Sequence, residues 1–282
     1  MGPKIIALVI TALVLFSGVN PAPVIGPAAD MTIVPAAEPV AAPTVSPADA
    51  AAALAIPIVY YHSVKTVPGN ALSMPPEQLE EQMKYLYDHS FESVSLGELY
   101  DFFYENGTLP SKPIVITFDD GYKDNYTNAL PILRKFGFAA TVFVTAGQDG
   151  PVFLTRDEMR ELLEAGWEIE SHTMTHPDLS KLNPFKLQWE LEHSKQLLEQ
   201  DLGRKVKFLA YPYGKYNESV VKAARGAGYL MAFTTKAGWA TEKHNPWLVN
   251  RVYLYANMGI EEFARRVEDP MYYEQKLNHK SE

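Results

Sequence analysis

With 282 residues, the chain is long enough for one domain of more than 200 residues plus an additional segment. A hydrophobic share of 47% excludes global disorder, and a formal charge of −9 argues against nucleic acid as a partner. Cysteine is absent, which removes disulfides, thiolate metal sites, a cysteine nucleophile and a lipidated N-terminal cysteine together.

The opening stretch MGPKIIALVITALVLFSGVN places Lys4 before an uncharged apolar run from Ile5 to Val19. That run has the length of a secretory h-region and is short for a membrane span of about 20 residues. Residues 1–19 are therefore expected to be a signal peptide or signal anchor, with Ala29 and Ala37 as weak cleavage points. Residues 20–54 are rich in Ala, Pro and Val, almost uncharged and without periodicity, the composition of a disordered tether. The folded domain is expected over 55–270, followed by a polar tail over 271–282. This order implies an exported protein, extracellular or at the cell surface, cleaved from its signal or tethered by it.

From Ile56 onward, strand-like runs alternate with amphipathic helices. IPIVYYHSV precedes PPEQLEEQMKYLYDHS, whose Leu79, Met83 and Leu86 share a helical face. FESVSL precedes the helix GELYDFFYENG, and PIVITF precedes a helix near Asn128–Phe136. AATVFVTAG leads to TRDEMRELLEAG, with Thr155 as N-cap and Gly166 as the stop. WEIES leads to a long helix with Leu187, Leu191, Ser194 and Leu198 along one side. VKFLAY, SVVKAARGAG, YLMAFTT, WLVNRVYLY and GIEEFARRVED complete the series. Continuous apolar strands alternating with helices mean a parallel sheet covered by helices. About seven units over roughly 215 residues suit an α/β fold closed into a barrel, an open doubly wound sheet being second. Either architecture places chemistry at the C-terminal strand ends.

The unusual polar groups stand at such ends. Asp119 and Asp120 end PIVITF, SHTMTH ends WEIE, YPYG ends VKFLA, and His62 ends IPIVYY. His172 and His176, at i and i+4, are expected about 6 Å apart on one face of a helical turn, within reach of one ion. Two His and one carboxylate with open positions form a common ligand set for catalytic Zn²⁺ and related metals. With such an ion, one Asp serves as ligand and the other takes a proton from water whose pKa the ion has lowered. The constellation points to metal-assisted hydrolysis; the absence of G-x-S-x-G disfavours a serine acyl transfer.

TFDDG, SHTMTH and YPYG, in this order and at these strand ends, resemble the polysaccharide deacetylases of carbohydrate esterase family four. The likeness covers roughly residues 56–269 and implies a single distorted (β/α)₇ barrel that removes acetyl from N-acetylglucosamine units. It implies one divalent ion, Zn²⁺ first, with Co²⁺, Ni²⁺ or Fe²⁺ as alternatives. It further implies Asp119 as general base, Asp120, His172 and His176 as ligands, and the backbone N–H of Tyr213 as donor to the oxyanion.

Two departures from the family pattern stand out. Ala210 occupies the place of an arginine that orients the base, and Arg251 is the candidate replacement. The late leucine–histidine motif of the family has no counterpart, since the late histidines are His244 and His279; His62 is the candidate acid or outer support. Both departures, with the YYHSV opening, resemble the biofilm branch that deacetylates poly-β-1,6-N-acetylglucosamine outside the cell. Peptidoglycan or chitin oligomers are the alternative substrates, and a non-catalytic carbohydrate-binding barrel the alternative class. Tyr211, Tyr213, Trp239 and Trp247 are candidate sugar-stacking rings, with Trp247 favoured as core. Leu72 and Met74, in a loop otherwise polar, are candidates for touching membrane or polymer. A monomer is expected.

Overall fold

The computed structural model describes residues 55–273 and the backbone of a short strand, β1 (Thr44–Val45). The expected signal segment 1–19, the tether apart from β1, and the tail from 274 onward lie outside the described residues. After β1 the chain forms β2 (Ile58–Tyr61), α1 (Pro76–Asp88), β3 (Glu92–Ser93), α2 (Leu96–Tyr104), β4 (Leu109–Pro110) and β5 (Pro113–Phe118). A π-helical turn, Asn125–Ala129, runs into α3 (Leu130–Lys135), followed by β6 (Thr141–Val144), α4 (Arg156–Glu164), β7 (Glu168–Ser171) and α5 (Pro184–Leu202). The series ends with β8 (Phe208–Ala210), α6 (Glu218–Gly226), β9 (Met231–Ala237), β10 (Val249–Tyr253) and α7 (Ile260–Glu268).

Seven of these strands pair in parallel in the cyclic order β2, β5, β6, β7, β8, β9, β10, and β10 returns to β2. The expected (β/α)₇ barrel is therefore closed. FESVSL is not a stave. It contributes only β3, which pairs with the first residues of β5 below the level at which β2 begins. Strand β4 pairs with β1 in a separate two-stranded sheet.

Every residue of β5 is buried because both faces are covered. Val59, Ile114, Ile116, Val142, Ile169, Leu209 and Val252 pack outward against the helices, on Leu79, Met83, Leu162, Leu191 and Phe263. The alternate residues Ile58, Val115, Phe143, Phe208, Phe233 and Val249 fill the barrel interior together with Leu96, Leu99 and Phe102 of α2. Helix α2 thus plugs the N-terminal end. Its Leu96 and Gly97 N–H groups donate to Glu168 at the start of β7, at 2.8 and 3.1 Å, and Thr141 donates to the same carboxylate. A reciprocal capping box between Ser95 and Glu98 starts that helix, and Thr155 with Glu158 starts α4 in the same way. Among the described residues, no helix is long and apolar enough to cross a membrane.

Candidate metal centre

Asp119 continues β5, its N–H donating to Tyr61 at 2.9 Å. It therefore keeps the inward alternation of Val115 and Thr117 and is buried inside the barrel. The backbone then turns through two left-handed residues, Asp120 at φ 76° and Gly121 at φ 77°. A Cβ on Gly121 would meet the Val144 methyls at 3.2 Å, so close packing as well as the turn calls for glycine. The turn separates the adjacent carboxylates. Asp119 faces the barrel axis, and Asp120 faces the histidines at the mouth.

Arg251, fully buried in β10, grips Asp119 with two parallel bonds, Nη1 to Oδ1 at 2.8 Å and Nη2 to Oδ2 at 2.7 Å. Its Nε donates to the Thr234 carbonyl, and its guanidinium lies 4.3 Å from the Tyr60 ring centroid. Burial alone would raise the Asp119 carboxyl, but the Arg251 charge and hydrogen bonds prevail and hold it well below the usual range.

His172 follows β7, with its N–H on the Val144 carbonyl at 2.8 Å. Its Nδ1 lies 2.8 Å from the Ala210 carbonyl, which can only accept, so Nδ1 carries the proton and Nε2 is left as an electron-pair donor. That Nε2 lies 3.5 Å from Asp120 Oδ1, and His176 Nε2 lies 3.3 Å from the same oxygen. One donor atom from each of the three residues falls within 4.8 Å of the others. Burial lowers the His172 imidazole to about 4 and also lowers His176, so both rings are neutral at neutral pH. Asp120 is raised to about 6, by burial first and by the Asp119 charge beside it. Two neutral imidazoles and a carboxylate short of positive partners fit a divalent cation.

The two histidines do not share a helical turn. Residues 172–176 form a loop with Thr173 at φ 70° and His176 at φ 59°, and the rings meet at 4.8 Å between centroids. Sequence spacing missed what shapes this loop. Buried Glu190 of α5 accepts the Met174 and Thr175 N–H groups at 2.9 Å each on Oε2, and the Thr175 hydroxyl at 2.5 Å on Oε1. A signal was present, because Glu190 falls on the same helical stripe as Leu187, Leu191, Ser194 and Leu198. Tyr122, also unforeseen, lies close enough to Asp120 to favour its charged form, against the effect of burial.

His62, just past β2, sits close enough to Asp119 and Asp120 to act on their charge. Its buried Nδ1 has no hydrogen-bond partner among the described residues, while its carbonyl is held by Asn125 at 2.8 Å. Tyr213 is exposed, at φ 60°, with its ring edge-on to His176 at 4.6 Å. Gly214, at φ 65°, completes this turn; a Cβ there would lie 2.0 Å from Thr235 Oγ1.

Two expectations, for Tyr211 and Met74, are corrected. Tyr211 is a core residue, its hydroxyl donating to the Trp247 carbonyl at 3.1 Å, and it offers no face to a sugar. Trp239 is partly buried, with its indole N–H donating to the Arg266 carbonyl of α7 at 2.9 Å. Met74 is 2% exposed and part of the core, leaving only Leu72, at 46%, exposed in that loop. Residue alternation cannot tell a ring that packs inward beside a polar motif from one that faces the mouth. Trp247 is partly buried as expected, its indole N–H facing the Tyr229 carbonyl.

The profile of the family described as Polysaccharide deacetylase matches residues 106–232. YxkH of Bacillus subtilis (strain 168), whose name assigns it provisionally to the polysaccharide deacetylases, is 35% identical over 214 residues, 76% of each chain. The chain belongs to the polysaccharide deacetylase family. It is accordingly a hydrolase of amide bonds in polysaccharide. A further relative, the poly-β-1,6-N-acetyl-D-glucosamine N-deacetylase of Staphylococcus aureus (strain MRSA252), is 28% identical and covers 74% of this chain and 76% of that one. Among solved structures, Streptococcus pyogenes deacetylase PplD in complex with acetate superposes with a TM-score of 0.73 at 28% identity. That match covers 77% of this deacetylase and all of PplD.

Proposed function

We propose that this deacetylase is exported and hydrolyses N-acetyl groups of poly-β-1,6-N-acetylglucosamine, using one divalent ion held by Asp120, His172 and His176. The observation that carries this reading is the division of labour between adjacent carboxylates. Asp120 shares a cluster with two neutral imidazoles, while Asp119 stands apart, ionised and clamped by Arg251. When bound, a divalent ion, Zn²⁺ in the first instance, supplies charge that polarises the acetyl carbonyl and lowers the pKa of water toward about 7. Asp119 takes the proton of the attacking water, and Arg251 keeps its carboxylate aimed. So tightly paired a carboxylate is a weak base, so it accepts a proton only from acidified water. The Tyr213 N–H stabilises the oxyanion, and His62, with an uncommitted Nδ1, protonates the leaving nitrogen. Water and amide are consumed; acetate and the free amine leave.

The polymer is assigned on the similarity to the staphylococcal deacetylase and on two features of the base. Ala210 stands where an arginine was expected, and Arg251 from β10 holds Asp119 instead. The domain layout of signal, tether and barrel, and a monomeric state, complete the proposal. The test measures acetate release from β-1,6-linked and β-1,4-linked N-acetylglucosamine oligomers, with and without chelator. Chelator should abolish release, the β-1,6 oligomer should be preferred, and Asp119→Asn should lose at least about 10²-fold in kcat while still binding metal. Wild-type rates in Asp119→Asn would refute the base; preference for the β-1,4 oligomer would refute the polymer.

A further inference from the structure

Helix α5 starts close to the metal-ligand loop and carries two aromatic rings that the barrel does not use. Phe185 is 80% exposed although it follows the helix's first residue, and Trp189 lies four residues on, on the same face. Neither ring belongs to a core cluster among the described residues. Together with Leu182 and Lys186 they form one side of a groove of about 430 Å³. Thr175 and Pro177 form the other side. These two residues flank the ligand His176, and Glu190, which clamps the loop, also lines the groove. The groove and the metal centre therefore share one loop. The exposed Tyr213 ring also lies against His176, at 4.6 Å between centroids. The larger grooves of about 610 and 640 Å³ contain no member of the triad and lie against α6.

We propose that the groove between residues 175–177 and α5 binds a sugar unit adjacent to the one being deacetylated. The inference rests on the polymer reading above. A chain with one acetamido group at the triad must continue past it, and this groove is lined by Thr175 and Pro177, the residues on either side of the ligand His176. Its volume lies in the range of about 300–1,000 Å³ usual for sites that take small ligands. Its chemistry suits a pyranose. The ring C–H faces of the sugar lie on Phe185 and Trp189, and Lys186 with the Thr175 edge supplies polar partners for the equatorial groups. An exposed Phe185 beside a half-buried Trp189, close to the metal-ligand loop, is the kind of patch that marks a binding surface.

The experiment compares kcat/KM on a β-1,6-linked N-acetylglucosamine dimer and hexamer for wild type, Phe185→Ala, Trp189→Ala, the double variant and Trp189→Phe. Both rings are outside the core, and unchanged thermal unfolding of each variant checks that folding is intact. The hexamer-to-dimer ratio should fall by about tenfold in the double variant, through KM, and Trp189→Phe should restore most of its own loss because a stacking face remains. A ratio equal to wild type, or an equal loss on both lengths, overturns the subsite. A change confined to self-association on gel filtration also overturns it, by making the groove a contact between copies. Wild-type protein releasing acetate from neither oligomer would fell the polymer reading, a result distinct from an unaltered ratio in an active enzyme.

Discussion

Adjacent aspartates with opposite tendencies are the centre of this site. Asp119 is held far toward its charged form by Arg251, and Asp120 is pushed toward its neutral form because burial, with the Asp119 charge beside it, outweighs the opposing pull of His62 and Arg251. Two left-handed residues at the end of β5 make that possible by turning the side chains apart. Glu190 does similar service for the histidines, since a loop with two non-glycine residues at positive φ needs its N–H groups held. Glu190→Ala should therefore weaken Zn²⁺ binding by about 10–100-fold, and Glu190→Gln, which keeps an accepting oxygen, by less. Competition with a chromophoric chelator measures it; equal affinities in all three proteins would make Glu190 a bystander. Asp119, Asp120, His172 and His176 were legible because each stands at the end of an apolar strand. Glu190 was not, because a helical pattern places it on a buried stripe without saying which loop lies beneath.

The barrel strands supply both position and insulation. Each stave has one face on the helix layer and one inside the barrel, and the inward face is largely apolar toward α2, with Glu168 and Glu170 of β7 as exceptions, and charged at the mouth. Helix α2 depends on Glu168, which holds its first two N–H groups from inside the barrel. Glu168→Ala should cost about 1–3 kcal/mol of stability in urea unfolding of the metal-free protein, from donors left unpaired. Glu168→Gln should recover part of it. A loss below about 0.5 kcal/mol would mean that water replaces the carboxylate there. The alternation of strands and helices was readable from periodicity, yet FESVSL also looked like a stave. Its exclusion from the ring depends on where β2 begins relative to β5, a register that no local pattern encodes.

For the whole molecule, metal, protonation and stability are linked. Ligands must shed protons to bind metal, and Asp120 holds one up to about pH 6. Zn²⁺ affinity should thus be level above that pH and fall by about tenfold per unit below it. Because ion binding stabilises the folded state by about 2.7 kcal/mol at a hundred times Kd, the Zn²⁺-induced rise in Tm should shrink from pH 7.5 to pH 5. The metal-free protein should respond in its own way. The folded state binds the Asp120 proton more tightly than the unfolded chain does, so this group's contribution to stability declines as pH rises from 3.8 to about 6. Thermal unfolding with and without Zn²⁺ at both pH values checks both statements. An identical shift at pH 5 and 7.5 would place the controlling ligand elsewhere.

Local order along the chain was enough to specify the parallel α/β architecture, the end of the barrel that carries chemistry, and the four polar residues around which it is built. Those depend on hydrophobic period and on strand ends, which neighbouring residues set. The charge states, the shape of the histidine loop and the fates of Tyr211, Trp239 and Met74 were different. They depend on desolvation and on partners remote in the chain, as Arg251 is from Asp119 across 132 positions, and such partners exist only once the barrel has closed.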